Sequence, residues 1–171
     1  MNARKIAICL LLLFCFTIGF SAGTGIKFYY ESTTFKPFVW NHEPTIINCY
    51  GKDFNKFQFE RAIEYWAIRG YKAGLYIHNP PISVCDNYWL EGMIILRKNE
   101  NLSHDTLANT RRRTSAFTMR SAIIQYSPGS QNLNLLNEHE LGHALGFTHI
   151  EKEGHIMHPH YRKMGRNFYI P

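Results

Sequence analysis

The stretch HELGHALGFTHIEKEGHIMHP, from His139 to Pro159, decides how this chain is read. His139 and His143 are four residues apart, so on a helix both imidazoles project from one face about one turn apart, as two ligands of a tetrahedral zinc ion must. Glu140 is offset by one residue, which rotates it away from the pair and leaves it to act on a water molecule instead of the metal. A straight helix would carry His149 away from the ion. Gly146 can adopt a positive φ, end the helix and turn the chain, so that His149 returns as the third ligand. Three neutral imidazoles leave the fourth position of zinc open to water, which marks a catalytic site and not a closed structural one.

Working outward, the pattern predicts a helix over 134–146 whose Leu136, Leu141 and Leu145 face a sheet. Upstream, 45–50 (TIINCY) reads as a strand. A helix over 55–69 follows, with Phe59, Ile63 and Trp66 on its core stripe and Gly70 as its stop. Further strands are predicted over 72–78, 92–97, 106–111 and 117–126, the last closed by Ser127, Pro128 and Gly129. Arg111, Arg112 and Arg113 read as a solvated turn or strand end.

The chain has 171 residues, 45 % of them hydrophobic, enough for one core and too few for two. Arg4 and Lys5, the apolar run from Ile6 to Phe20, and Ser21, Ala22 and Gly23 have the order of a signal peptide over 1–23. That run is shorter than the roughly 20 residues a bilayer span needs, so no stable membrane span is expected after cleavage. An aromatic, irregular arm over 24–43, punctuated by Pro37, precedes a single domain over 44–171. The formal charge is +6; without aromatic interleaving or a groove motif, such a surplus does not argue for nucleic acid. Beyond the signal only Cys49 and Cys85 remain, an even count that in an exported chain reads as one disulfide.

His139, Glu140, His143, Gly146 and His149 agree with the HExxHxxGxxH signature, and Met157 follows within HIMHP. Together they resemble the metzincin zinc metalloproteases. The resemblance is closest to the matrixins: Met157 lies eight residues after His149, MHP parallels the family's Met-turn MYP, and Thr106, Leu107, Ala108 and Asn109 are similar to its TLAH strand. What the resemblance implies is an α+β catalytic domain: a twisted five-stranded mixed sheet, two main helices including the active-site helix, a Met-turn and a short C-terminal helix near 160–168. It further implies that Met157 forms a hydrophobic floor under the zinc and that an edge strand carrying Leu107 and Ala108 pairs with an extended peptide substrate.

The chain departs from the matrixin pattern at several points. Asn109 replaces the strand's histidine, and His104 and Asp105 read as a solvated loop pair, so neither a structural zinc nor calcium is expected beside the one catalytic zinc. Ile150 stands where the family usually has Ser. Neither NCYG around Cys49 nor VCDN around Cys85 resembles the PRCGxPD cysteine switch. His155, His158 and His160 surround the Met-turn; each reads as a surface side chain, the alternative being that one of them, or Tyr161, stabilises an oxyanion.

The function expected is that of a secreted zinc endopeptidase, extracellular or periplasmic according to host, acting as a monomer on protein or peptide substrates with Glu140 as general base. The alternative is a secreted zinc-binding interaction protein with the same fold and no turnover. Glu140 discriminates between them, because a purely structural metal site needs ligands but no base.

Overall fold

The computed structural model describes residues 38–170. The signal peptide expected over 1–23 and most of the arm over 24–43 lie outside them. One mixed sheet forms the core, built from β1 (Val39–Trp40), β2 (Thr45–Asn48), β3 (Tyr76–Ile77), β4 (Met93–Lys98), β5 (Ala108–Ser115) and β6 (Thr118–Tyr126). β3, β2, β4 and β6 lie side by side in parallel, and β5 runs antiparallel along β6. Five strands are implied by the resemblance and the sheet has six; the additional one is the two-residue β1, parallel to β6 at Thr118 and Met119. β1 is fastened by the Val39 N–H, which donates to the Phe117 carbonyl at 3.0 Å.

The central strands read as unbroken apolar runs because both their faces are covered. Ile46, Ile47, Ile94, Ile95, Leu96, Ile123 and Ile124 are all buried. Strand β5 reads ANTRRRTS and alternates between half-buried and exposed residues over its first six positions, the pattern of a strand with one covered face. The three arginines therefore occupy the middle of β5 and not a turn or strand end. Charge there is tolerated because, among the described strands, β5 pairs with β6 alone, and edge strands commonly carry charged side chains. The expected strand over 72–78 is confined to Tyr76–Ile77. Gly74 instead passes close to the preceding loop, its N–H donating to the Pro44 carbonyl at 3.0 Å.

Helix α1 (Lys56–Ala67) begins at Asn55, whose side chain accepts the Gln58 N–H at 3.1 Å, an N-cap that satisfies one of the open donors of the first turn. Its buried face is Phe59, Ala62 and Trp66. A short turn of helix, α2 (Ile82–Cys85), presents Cys85 to Cys49 at the end of β2, and the two form a disulfide with Cα atoms 5.5 Å apart. The two cysteines are 36 residues apart in the chain, and closing a loop of that length stabilises the fold by about 3–4 kcal/mol in the chain-entropy account.

Helix α3 (Leu136–Ala144) lies against α1 and the sheet, with Leu136, Leu141 and Leu145 buried. The Trp66 indole N–H donates to the Glu138 carbonyl at 2.7 Å and fixes α1 against α3. The helix predicted over 160–168 is instead a single 3-10 turn, Tyr161–Lys163. Gly165 explains the interruption: a Cβ there would lie 2.5 Å from the Gly154 carbonyl oxygen, and Asn167 pairs through its backbone with Gly154 and Ile156. The chain after the turn runs extended along the segment before Met157. No helix among the described residues is long and apolar enough to cross a membrane.

Candidate metal centre

Helix α3 delivers His139 and His143 from one face, and the backbone then turns at Gly146, where φ is +108°. The Gly146 N–H donates to the His143 carbonyl at 3.0 Å and the Phe147 N–H to the Gly142 carbonyl at 3.0 Å, closing the helix. The turn brings His149 back: its Nε2 lies 3.0 Å from that of His143, which lies 3.0 Å from that of His139. A tetrahedral zinc with bonds of about 2.05 Å sets its nitrogens about 3.3 Å apart, so the three atoms have the spacing of a ligand set.

The protons on these rings decide whether such a set fits a cation. His139 Nδ1 faces the Ile156 carbonyl at 2.8 Å, and His143 Nδ1 faces the Phe147 carbonyl at 2.9 Å. A carbonyl only accepts, so each Nδ1 carries the hydrogen and each Nε2 presents a lone pair. The short His139–His143 approach is thus two lone pairs meeting, which is unfavourable until a cation lies between them. Burial holds His139 down at about 4 and His143 down at about 3, and it also lowers His149. The donors are therefore neutral at neutral pH, the form that binds metal. Exposure rises from buried His139 through half-buried His143 to exposed His149, which opens a route to the centre from the His149 side.

Glu140 points away from the three nitrogens towards β5. Its Oε2 accepts the Thr110 hydroxyl at 2.5 Å. Burial pushes the carboxyl up to about 7, and the Thr110 hydrogen bond lowers it in part. The group is therefore a base with its proton affinity near neutrality.

Met157 is fully buried beneath α3. Gly142 makes that approach possible, since a Cβ there would lie 2.5 Å from both the Met157 sulfur and Trp66 Cζ2. The Met157 carbonyl accepts the Ile150 N–H at 2.9 Å, locking the segment after His149 to the Met-turn. That bond uses backbone alone, so the residue after the third ligand is free to be Ile. His155 and His158 are buried and not on the surface: their Nδ1 atoms accept the Met157 and His160 N–H groups at 3.0 Å and 2.9 Å. Each satisfies a turn donor two residues on, which is why it turns inward. His160 and Tyr161 instead line the cavity that opens in front of the ligands, about 1370 Å³ in volume, as do Leu107 and Ala108.

Three contributors have no signal in the local sequence. Thr110 and Arg112 reach the centre only through the pairing of β5, and Trp40 on β1 donates its indole N–H to the Ala144 carbonyl at 2.9 Å, serving one of the open acceptors at the end of α3. Gly142 lies inside the motif, but its necessity shows only once Met157 is in place.

A metal helix whose first imidazole is oriented by the carbonyl preceding a buried methionine, with the third imidazole returned by a glycine turn, has the build of a metzincin. Residues 54–171 match the family model described as Matrixin. The chain belongs to the matrixins, a family of zinc metalloproteases. No curated protein matches it.

Proposed function

We propose that this chain is a secreted zinc endopeptidase in which His139, His143 and His149 hold the metal and Glu140 is the general base. The observation that carries the reading is the Glu140 carboxyl: buried beside the converged imidazoles, spaced from them by one helix position, and raised by burial to about 7. A structural metal site has no use for such a group.

Zinc, when bound, supplies Lewis acidity that polarises a substrate carbonyl and makes water more acidic. The remaining work falls to the chain. Thr110 occupies Oε2 of Glu140, so Oε1 is the atom that accepts the proton from the attacking water and returns it to the nitrogen of the leaving amine. Met157 packs under α3 and, through the Ile156 carbonyl, holds the His139 ring in register. Leu107 and Ala108 border the cavity at the start of β5, where an extended peptide would add as a further strand through backbone hydrogen bonds. Export is supported by the signal-like order of residues 1–23 and by the Cys49–Cys85 disulfide.

The test is to express the protein, measure bound zinc, and assay cleavage of an unbiased peptide library with and without chelator. One zinc per chain and chelator-sensitive cleavage within peptides are expected. Tight zinc binding without cleavage of any peptide would favour an interaction protein with the same fold.

A further inference from the structure

Resting on the peptidase reading, we propose that the cleft selects substrates with an acidic side chain, and that Arg112 is the residue that binds the carboxylate. Ala108, Thr110 and Arg112 are the half-buried residues of β5, whereas Asn109, Arg111 and Arg113 are exposed. The covered face is thus the face that meets α3: Thr110 reaches Glu140, and Arg112, two positions on, lines the same cavity.

Among the described residues Arg112 is a cation without a counter-ion. Its Nη1 donates, among the described residues, to the Phe147 carbonyl alone, at 3.4 Å, and its guanidinium carbon lies 5.5 Å from the centre of the Phe38 ring. No carboxylate of the described residues lies within 4.0 Å of it, whereas Arg120 is held by Glu91 at 2.8 Å and Lys98 by Glu100 at 2.8 Å. Burial lowers its pKa, which records the partial loss of water around the charge. A partly desolvated guanidinium with most of its five N–H donors unspent gains strongly from a carboxylate that accepts two of them side by side.

The rest of the cavity has the same sign. Arg162 and Lys163 line it and form no ion pair among the described residues. Its carboxylates are Asp105, which is exposed, and Glu140, which Thr110 holds. A strongly basic substrate would meet uncompensated repulsion here, and an acidic one would supply the missing partner.

The strand also fixes where the acid sits. A peptide added to the open edge of β5 presents, opposite Arg112, a side chain on the same face of the sheet. Thr110 marks Glu140 and hence the scissile bond, so the acidic residue falls about two positions from that bond.

The experiment uses zinc-loaded protein and a position-scanning peptide library, followed by a matched peptide pair differing only as Glu or Gln at that position. Asp and Glu should be enriched there, with kcat/KM at least about tenfold higher for the Glu peptide. In Arg112→Gln the Glu-to-Gln ratio should collapse towards one, while Arg111→Gln, on the exposed face, should leave it unchanged. Anisotropy binding of both peptides to zinc-loaded Glu140→Gln protein gives a second readout without turnover. There the Glu peptide should bind more tightly, and the advantage should vanish when Arg112→Gln is added. No acidic enrichment, or a ratio that persists in Arg112→Gln, overturns the proposal. Cleavage of neither peptide with a preserved binding preference overturns the peptidase reading and leaves the carboxylate site standing.

Discussion

Helix α3 and strand β5 border one cavity and are stabilised in different ways. The helix is buried at every position but His143, held by Trp66, Trp40 and Met157, and its two ligands are preset by carbonyls at 2.8 Å and 2.9 Å. Among the described strands β5 pairs on one edge; it carries three arginines in a row and leaves five of its eight residues exposed. The proposed chemistry, which tolerates little displacement, falls on the buried element, and the proposed substrate contacts fall on the element whose side chains can change without disturbing the core. The two are joined by the Thr110 hydroxyl, which donates from the strand to Glu140.

The sharpest way to break this division is at Glu140. Glu140→Gln preserves size and leaves the three imidazoles untouched, so bound zinc should stay at the wild-type level while kcat falls by about 10²–10⁴. Metal analysis alongside steady-state kinetics checks both halves. Turnover within a factor of a few of wild type would remove Glu140 from the mechanism.

Acid should expose the helix next. With metal chelated, His139 and His143 sit at about 4 and about 3 in the folded protein against an ordinary 6.5. Below pH 6.5 the unfolded chain therefore takes up protons that the folded protein refuses, and stability falls with pH. Glu140 acts in the opposite sense: at about 7 against 4.5 it takes its proton first in the folded state, which stabilises as pH falls from 7 to 4.5. One carboxyl nearly offsets two imidazoles around pH 7, but below about pH 6 the imidazoles prevail; the loss is steepest around pH 4–5 and tapers as His139 and then His143 take up protons in the folded state as well. Denaturation of chelated protein from pH 8 to 4 should follow that curve, and zinc should displace the fall to lower pH, since bound metal keeps the rings unprotonated. A flat profile between pH 6 and 4 without metal would contradict the preset, neutral ligand pair.

How much of each region was legible follows from how far apart its parts lie in the chain. Two imidazoles at helical spacing and a third returned by a glycine are local relations, so the convergence of His139, His143 and His149 through the turn at Gly146 could be read directly. The disulfide could be read because only Cys49 and Cys85 lie beyond residues 1–23. Strand β5 hid its role because ANTRRRTS has no apolar alternation, and what makes Thr110 and Arg112 matter is a neighbour thirty or more residues away. The inward turn of His155 and His158 was equally hidden, since imidazoles accepting turn N–H groups look in sequence like imidazoles in water. The tail reads as helix in the sequence because nothing local reveals that Gly165 must touch Gly154.

Gly142 tests the rigidity attributed to α3. A methyl group there meets the Met157 sulfur and the Trp66 ring at 2.5 Å, and both side chains are fully buried, so Gly142→Ala should cost about 1–3 kcal/mol despite alanine's better helix propensity. Chemical denaturation of the zinc-loaded variant measures this. Stability equal to or above wild type would mean that the Met-turn yields easily and that the floor beneath the ligands is soft.

Thr110 carries the smallest expected effect and the most specific one, because it is where the two regions touch. Its hydroxyl is 2.5 Å from Oε2 of Glu140 and 3.3 Å from the Glu140 carbonyl; it has one proton to give, and the nearer carboxylate oxygen takes it. Without that bond the buried carboxylate keeps its position on the helix but loses the constraint that turns Oε1 towards the substrate. Thr110→Val should therefore lower kcat about tenfold, the scale of one hydrogen bond to a charged group, with KM and bound zinc close to wild type. Thr110→Ser restores the hydroxyl without the methyl and should recover most of the rate. If valine and serine were equally impaired, the methyl packing and not the hydrogen bond would be what matters. If KM rose while kcat held, Thr110 would belong with Arg112 among the residues that meet the peptide, and the boundary between the fixed helix and the variable strand would lie one residue closer to the metal.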